Sequence, residues 1–272
     1  MPDAPELQGD RPGVCARSRG AGPEVVLVHG WAMHGGVWEE VAGRLAGRFR
    51  VTVVDLPGHG ASAPVQPYSI ENLADSLADA VSGPALWVGW SLGGMVCAEL
   101  AARAPERVRG LALVAASARF VREPGWGSAL SPEALEQFAR ELEQDYAGTL
   151  RRFLALQTLG AAGGRAALQR LRALLDQAPA PAPSALRGGL RLLREADLRP
   201  RLGAVRCPAL VIAGERDTLV PVQAARNTAE ALPRGRLQII AGAGHAPFLS
   251  HTDTFLQMLQ DFLVQPGDRE HG

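Results

Sequence analysis

Short, continuous apolar runs alternate along the chain with longer segments in which apolar residues recur every three or four positions. The runs occupy residues 25–28, 51–54, 85–88, 108–115, 209–213 and 237–240. Runs of this length, bounded by glycine, proline or polar residues, are typical of strands buried on both faces, and their alternation with helices is typical of a parallel sheet. The pattern predicts an α/β fold, in which helices cover both faces of a mostly parallel central sheet.

The alternation is interrupted between about residues 117 and 197, where the periodicity is helical throughout. One helix is expected to begin at Pro132 with Ser131 as its N-cap, and the proline-rich stretch 178–184 is expected to be a stiff connector. A helical block between two strands of a parallel sheet is most simply a lid over the carboxyl ends of the strands. We therefore predict a single domain over residues 1–272, with a core at about 12–116 and 198–265, an inserted helical lid at about 117–197 and flexible termini.

The composition argues against several classes of function. The formal net charge is +0, with arginine as the only basic residue type, so nothing global favours nucleic acid or a membrane surface as a partner. The cysteines Cys15, Cys97 and Cys207 form no CxxC pair, which argues against a disulfide framework and a zinc site. No apolar run is long enough to span a membrane. We expect a cytoplasmic monomer with reduced thiols, no metal and no organic cofactor.

A GxSxG pattern, Gly89-Trp90-Ser91-Leu92-Gly93, directly follows one predicted strand and directly precedes a predicted helix. In this context the pattern is typical of a nucleophile elbow, a tight turn that exposes a serine hydroxyl at the top of the sheet. The alternative is a glycine-rich turn whose serine caps the helix.

A serine nucleophile needs a base, which in turn needs an orienting carboxylate, in the chain order serine, acid, histidine. Asp217 and His245 each follow a late predicted strand, and parallel strands bring both to the sheet edge where Ser91 lies. The sequence therefore predicts Ser91, Asp217 and His245 as a catalytic triad. The competing candidates are the acids Asp55, which we expect to brace the turn PGHG, Asp197 and Glu215, and the bases His29, His34, His59 and His251.

Acyl transfer also needs donors for the developing oxyanion. We expect the backbone N–H of Leu92, at a helix N-terminus, and that of Trp31, which follows His29-Gly30 after an early strand. Trp31 and Trp90 then flank the nucleophile. They are either core residues or, as we favour, apolar walls for an acyl chain.

The motifs LVHGW, VVDLPGHGAS, GWSLGG, FLALQTLG, GERDTLVP and GHAPFLSH follow one another through nearly the whole chain after about residue 12. Together they resemble the BioH family, the pimeloyl-[acyl-carrier protein] methyl ester esterases of biotin synthesis, within the α/β-hydrolase superfamily. The resemblance implies an α/β-hydrolase fold and hydrolysis of the methyl ester of a carrier-bound pimeloyl chain. It also implies the triad Ser91, Asp217 and His245, Trp31 in the oxyanion hole and Phe153 as a substrate-binding residue of the lid.

The predicted lid is strongly basic in an otherwise neutral chain. From Tyr146 to Arg194 the only acid is Asp176, against arginines at 151, 152, 165, 170, 172, 187, 191 and 194. Carrier proteins are acidic, so such a surface would steer them to the cleft, although acids nearby in space could equally offset it. The candidate contacts for an acyl-carrier protein are Arg151, Arg152, Arg165, Arg170 and Arg172.

Other functions remain open at this stage. A general short-chain carboxylesterase or a C–C bond hydrolase could use the same triad, and neither would favour a carrier-bound substrate. A non-catalytic ligand receptor could use the same fold, and it would not react with a fluorophosphonate.

Overall fold

The computed structural model describes residues 6–7 and 13–264, and within them eight strands form one sheet. The strands are β1 (Glu6–Leu7), β2 (Ala16–Arg19), β3 (Glu24–Val28), β4 (Arg50–Val54), β5 (Ala85–Trp90), β6 (Val108–Val114), β7 (Ala209–Gly214) and β8 (Gly235–Ile240). Their order across the sheet is β1-β2-β4-β3-β5-β6-β7-β8. β3 to β8 are parallel to one another, whereas β1 and β2 are antiparallel to their neighbours.

Helices follow or connect the strands. They are α1 (Glu39–Leu45), α2 (Ile70–Ala80), α3 (Leu92–Arg103), α4 (Pro132–Gln144), α5 (Tyr146–Gln157), α6 (Gly164–Gln177), α7 (Pro183–Glu195), α8 (Arg199–Leu202), α9 (Val222–Ala231), α10 (Pro247–Ser250) and α11 (Thr252–Leu263). Short 3₁₀ helices lie at Gly35–Trp38 and Pro105–Arg107. None of the helices in the described part of the chain is long and apolar enough to cross a membrane.

The four helices α4 to α7 form one helical insertion between β6 and β7, in the segment predicted as a lid. The predicted start of α4 is confirmed: Pro132 is its first residue, and the Ser131 hydroxyl accepts a hydrogen bond from the N–H of Ala134 at 3.2 Å. This cap satisfies one of the N–H groups that a helix start leaves without an internal partner.

The apolar core lies in two layers, one on each face of the sheet, because successive side chains of a strand point to opposite faces. Along β3, Val26 and Val28 contribute to one layer, and Val25 and Leu27 contribute to the other. The first layer continues into the helical insertion through residues such as Phe153, so the insertion packs directly on the carboxyl ends of the strands.

Two features differ from the sequence pattern. β2 has the polar sequence ARSR, in which only alternate residues are buried, and it was not among the six predicted strands. It lies near the sheet edge, where a strand needs no continuous apolar run. The predicted connector 178–184 ends two residues early, because α7 begins at Pro183, a position that proline favours. The predicted flexible termini lie mostly outside the described residues, but Glu6–Leu7 form β1.

Candidate active site

Ser91 lies in a strained turn between β5 and α3. Its backbone angles are φ 54° and ψ −120°, a conformation that side-chain-bearing residues rarely adopt. The glycines on either side make the turn possible. A Cβ added to Gly89 would lie 2.5 Å from the carbonyl oxygen of Gly93, and one added to Gly93 would lie 2.3 Å from that of His29. The close packing of this turn holds the hydroxyl at the carboxyl end of the sheet.

The structure brings the three predicted triad residues together in one hydrogen-bonded line. His245 Nε2 is 3.0 Å from Ser91 Oγ, and His245 Nδ1 is 2.8 Å from Asp217 Oδ2. The other carboxylate oxygen, Oδ1, accepts from the N–H groups of Leu219 at 2.8 Å and Val220 at 2.9 Å. These bonds fix the carboxylate, and the carboxylate in turn orients the imidazole. The arrangement can take a proton from the serine hydroxyl.

Two further bonds hold the backbone of His245. Its N–H donates to the carbonyl of Gln157 at 2.9 Å, and its carbonyl accepts from the indole N–H of Trp90 at 2.7 Å. The Ser91, Asp217 and His245 side chains are all buried, with Ser91 only 3% exposed. The triad is therefore largely buried.

The competing acids are engaged elsewhere. Asp55 accepts from the N–H groups of Gly35 at 2.6 Å and Ala61 at 3.0 Å, which braces the turn after β4. Hydrogen bonds from Arg199 hold the pKa of Asp197 below its usual value. Glu215 accepts from a backbone N–H in the turn after β8.

The competing histidines also have structural partners. His29 and His59 are buried side by side, with ring centroids 5.3 Å apart. Burial lowers the pKa of His29 to about 4 and that of His59 to about 3, so both rings are neutral at physiological pH. His34 bonds to the carbonyl of Leu174 in α6, and His251 bonds to a neighbouring serine.

The backbone around Trp31 and Leu92 adjoins the nucleophile, as predicted for an oxyanion hole. Leu92 is the first residue of α3 and directly follows Ser91. Gly30 lies so close that a Cβ added to it would be 3.2 Å from the Ser91 Cβ. The start of α3 and the loop after β3 thus both adjoin Ser91, as an oxyanion hole would require.

Trp31 and Phe153 form an apolar wall together. Their rings meet edge to face with centroids 4.8 Å apart, and Phe153 meets Phe138 of α4 in the same way at 5.7 Å. The prediction that Trp90 belongs to this wall needs correction. The Trp90 side chain lies in the opposite core layer against Phe248, with ring centroids 5.1 Å apart. Alternation along β5 puts it on the same face as Val88, which also belongs to that layer.

Helix α7 packs directly against Trp31. The indole N–H of Trp31 donates to the carbonyl of Leu186 at 3.0 Å. A Cβ added to Gly189 would lie 2.4 Å from the Trp31 ring and 3.4 Å from the Leu92 side chain. Sequence reasoning missed this contact and also the hydrogen bond from the His245 N–H to the Gln157 carbonyl. The Gly188-Gly189 pair inside a helical pattern was the available signal, since glycine inside a helix usually needs a packing reason.

The predicted carrier-protein arginines differ in their partners. Arg152 pairs with Glu141 at 3.0 Å and Asp145 at 3.5 Å, and Arg170 pairs with Glu40 of α1. Nearby acids therefore offset these two charges. The other three candidates are exposed and form no ion pair with any described residue: Arg151, Arg165 and Arg172.

Comparison with known proteins decides the family. The chain matches the alpha/beta hydrolase fold family over residues 23–252. A pimeloyl-[acyl-carrier protein] methyl ester esterase of Xanthomonas oryzae pv. oryzae is 47% identical over 250 residues, which are 90% of this chain and 96% of that protein. The chain belongs to this esterase family. An esterase of the same name from Photobacterium profundum is 42% identical, over 92% of this chain and 98% of that protein.

Solved structures agree on the fold of this family member. An esterase from Exiguobacterium antarcticum superposes with a TM-score of 0.84 at 21% identity, covering 92% of this chain and 95% of that one. A hydrolase from Pseudomonas aeruginosa does so with a TM-score of 0.81 at 27% identity, covering 96% and 98%. The predicted α/β-hydrolase fold and the predicted esterase family are confirmed. Within the described residues, no three His, Cys, Asp or Glu side chains are placed to hold a metal ion.

Proposed function

We propose that this esterase is a serine enzyme in which Ser91 is the nucleophile, His245 the base and Asp217 the acid. The observation that carries the proposal is the continuous line of hydrogen bonds from Ser91 Oγ through the imidazole to Asp217, with distances of 3.0 and 2.8 Å. A ligand receptor needs only a cavity, and this alignment at the end of a strained turn would serve no purpose in one.

In the proposed mechanism, His245 Nε2 takes the Ser91 proton while Oγ attacks the ester carbonyl. The oxyanion that forms accepts hydrogen bonds from the N–H groups of Leu92 and Trp31. His245 then gives its proton to the departing alcohol, which leaves an acyl group on Ser91. Asp217 stays ionised throughout and stabilises the imidazolium. Water releases the acyl group in a second cycle of the same proton transfers.

We propose the methyl ester of a carrier-bound pimeloyl chain as the substrate. The relatives from Xanthomonas oryzae and Photobacterium profundum carry that activity in their names. The apolar wall of Trp31 and Phe153 suits an acyl chain. Because Ser91 is only 3% exposed and the helical insertion packs on the carboxyl ends of the strands, we infer that this insertion acts as a lid.

The exposed lid arginines Arg151, Arg165 and Arg172 would meet an acidic carrier protein. Their planar guanidinium groups can pair bidentately with carboxylates or with the phosphate of the carrier's prosthetic arm. Arg152 and Arg170 contribute less, because they already pair with acids of this chain.

The test compares kcat/KM for the methyl ester of pimeloyl-carrier protein with kcat/KM for small soluble methyl esters. We expect a strong preference for the carrier-bound ester, together with growth of a biotin-requiring strain that lacks its methyl esterase when this chain is supplied. Equal turnover of both substrates and no growth would instead identify a general short-chain esterase. Absence of any reaction between Ser91 and a fluorophosphonate would contradict the serine mechanism itself.

A further inference from the structure

Gln157, the last residue of α5, carries a buried amide oxygen that lacks a hydrogen-bond partner. The side chain is 2% exposed, and its Oε1 bonds to no group in the described part of the chain. Buried polar atoms in folded proteins are nearly always paired, and each exception calls for a reason. A partner that arrives with the reaction is one such reason when the atom borders an active site.

Two contacts place Gln157 at the border of the Ser91 site. Its backbone carbonyl accepts from the N–H of His245 at 2.9 Å. Phe153 lies one helical turn earlier on the same face of α5, and its ring packs against Trp31. Because the two residues are four positions apart, Gln157 lies on the same face of α5 as Phe153, the face that borders the cleft.

Three nearby side-chain donors already have acceptors elsewhere. The Trp90 indole donates to the carbonyl of His245 at 2.7 Å. The hydroxyl of Thr158 donates to the carbonyl of Ala155 at 3.2 Å, and that of Thr218 donates to the carbonyl of Leu156 at 3.4 Å. These three groups therefore leave Gln157 Oε1 free to accept from a bound molecule.

We propose that Gln157 Oε1 accepts a hydrogen bond from the water that releases the acyl group, and so holds this water beside His245. The inference rests on the proposed function of the Ser91 site. The reacting end of a methyl ester has no N–H or O–H group, so an acceptor here does not match the intact substrate. It matches the water that enters after methanol has left.

Release of the acyl group uses only this water and the triad. The water oxygen bonds to the acyl carbon while one water proton passes to His245 Nε2 and the other remains hydrogen-bonded to Gln157. The bond between the acyl carbon and Ser91 Oγ then breaks, and the proton on His245 passes to Oγ. The products are the free carboxylic acid and the regenerated serine, and no further reactant is needed.

The test separates the two half-reactions in a single turnover of a p-nitrophenyl ester with the full-length enzyme in excess. Release of p-nitrophenolate reports acylation of Ser91, and appearance of the free acid reports deacylation. In Gln157→Met, which keeps the side-chain length without the amide oxygen, we expect unchanged acylation. Deacylation should slow by about tenfold, with acylated Ser91 accumulating in mass spectra.

Two control variants accompany this test. Gln157→Glu keeps an acceptor oxygen and should recover part of the deacylation rate. Gln169→Met makes the same replacement at an exposed position of α6 and should change neither step. Equal slowing of both steps in Gln157→Met would reveal a mere packing role, and deacylation at the wild-type rate would also overturn the inference. If the wild-type enzyme never acylates Ser91, the proposed function itself fails.

Discussion

At the scale of single residues, the strained backbone at Ser91 positions a hydroxyl group that folding itself does not need. We expect Ser91→Ala to fold normally while turnover falls by roughly 10⁴–10⁶, because loss of the nucleophile disables the whole triad. The measurement is kcat for an ester substrate, with circular dichroism as the control for folding. A variant that retains a tenth of the wild-type activity would contradict the assignment.

Asp217 is distinguished from its competitors by its contact with His245 Nδ1. We expect Asp217→Asn to lower kcat by roughly 10⁴, because an amide would favour the wrong imidazole tautomer. Asp197→Asn and Glu215→Gln remove carboxylates that bond elsewhere, so both should leave kcat nearly unchanged. If either control loses activity and Asp217→Asn does not, the acid of the triad has been misassigned.

Ser91, Asp217 and His245 could be placed at one edge of the sheet from the sequence because each lies in a segment that follows a strand of a parallel sheet. In such a sheet, chain order and strand direction are enough to place side chains at one edge. The residues around these three were harder to predict from the sequence. The side on which Trp90 packs and the bond between Gln157 and His245 depend on how helices pack on the sheet, and sequence spacing carries no such information.

At the scale of elements, the absence of a side chain at Gly189 allows α7 to pack closely against Trp31. We expect Gly189→Ala to destabilise the protein by about 1–3 kcal/mol and to lower kcat, because the new Cβ would overlap the Trp31 ring and displace it from Ser91. Gly43→Ala in α1 is the matched control, since nothing lies within 4 Å of the added Cβ and alanine favours a helix. Urea unfolding and ester turnover measure the two effects. If the two variants have the same stability and the same turnover, close packing of α7 on Trp31 does not depend on glycine at position 189.

The exposed arginines of α5 and α6 can be tested as a group. Reversing Arg151, Arg165 and Arg172 to Glu should lower kcat/KM for a carrier-bound ester by roughly tenfold or more at low salt, because charges at an interface rim act mainly on association. A small soluble ester should be turned over as before. Added salt should reduce the wild-type rate on the large substrate only, since exposed charges are screened over ~8 Å at physiological ionic strength. Equal losses on both substrates would indicate a collapsed lid instead.

At the scale of the whole molecule, the interior of the sheet was far easier to predict than its rim. Central strands such as β3 and β5 are buried on both faces and therefore leave continuous apolar runs in the sequence. β2, next to the sheet edge, is buried only at alternate residues, and its polar sequence resembles that of a loop. The helical insertion falls between these cases: its helices follow from periodicity, but the face that each one presents to the site does not.

Stability should depend on pH through the buried pair His29 and His59. Burial lowers their pKa values to about 4 and about 3, whereas both histidines titrate near their ordinary value in the unfolded chain. Between pH ~6.5 and ~4 the unfolded chain therefore binds more protons than the folded one, and the free energy of unfolding falls as the pH falls. Each histidine contributes roughly 3 kcal/mol to this loss.

Two other groups also change the free energy of unfolding as the pH falls, one with the opposite sign and one only at lower pH. Burial raises the pKa of Glu99, so its protonation opposes the loss. The lowered pKa of Asp197 matters only below the ordinary range of a carboxyl. The contribution of His59 can be isolated from both by comparing wild type with His59→Asn, whose side chain does not titrate. We expect the urea midpoint of the wild type to fall more steeply from pH 6.5 to 4 than that of the variant. Parallel curves would mean that His59 becomes protonated in the folded protein as readily as in the unfolded chain, which would be incompatible with the closed packing of its ring against His29.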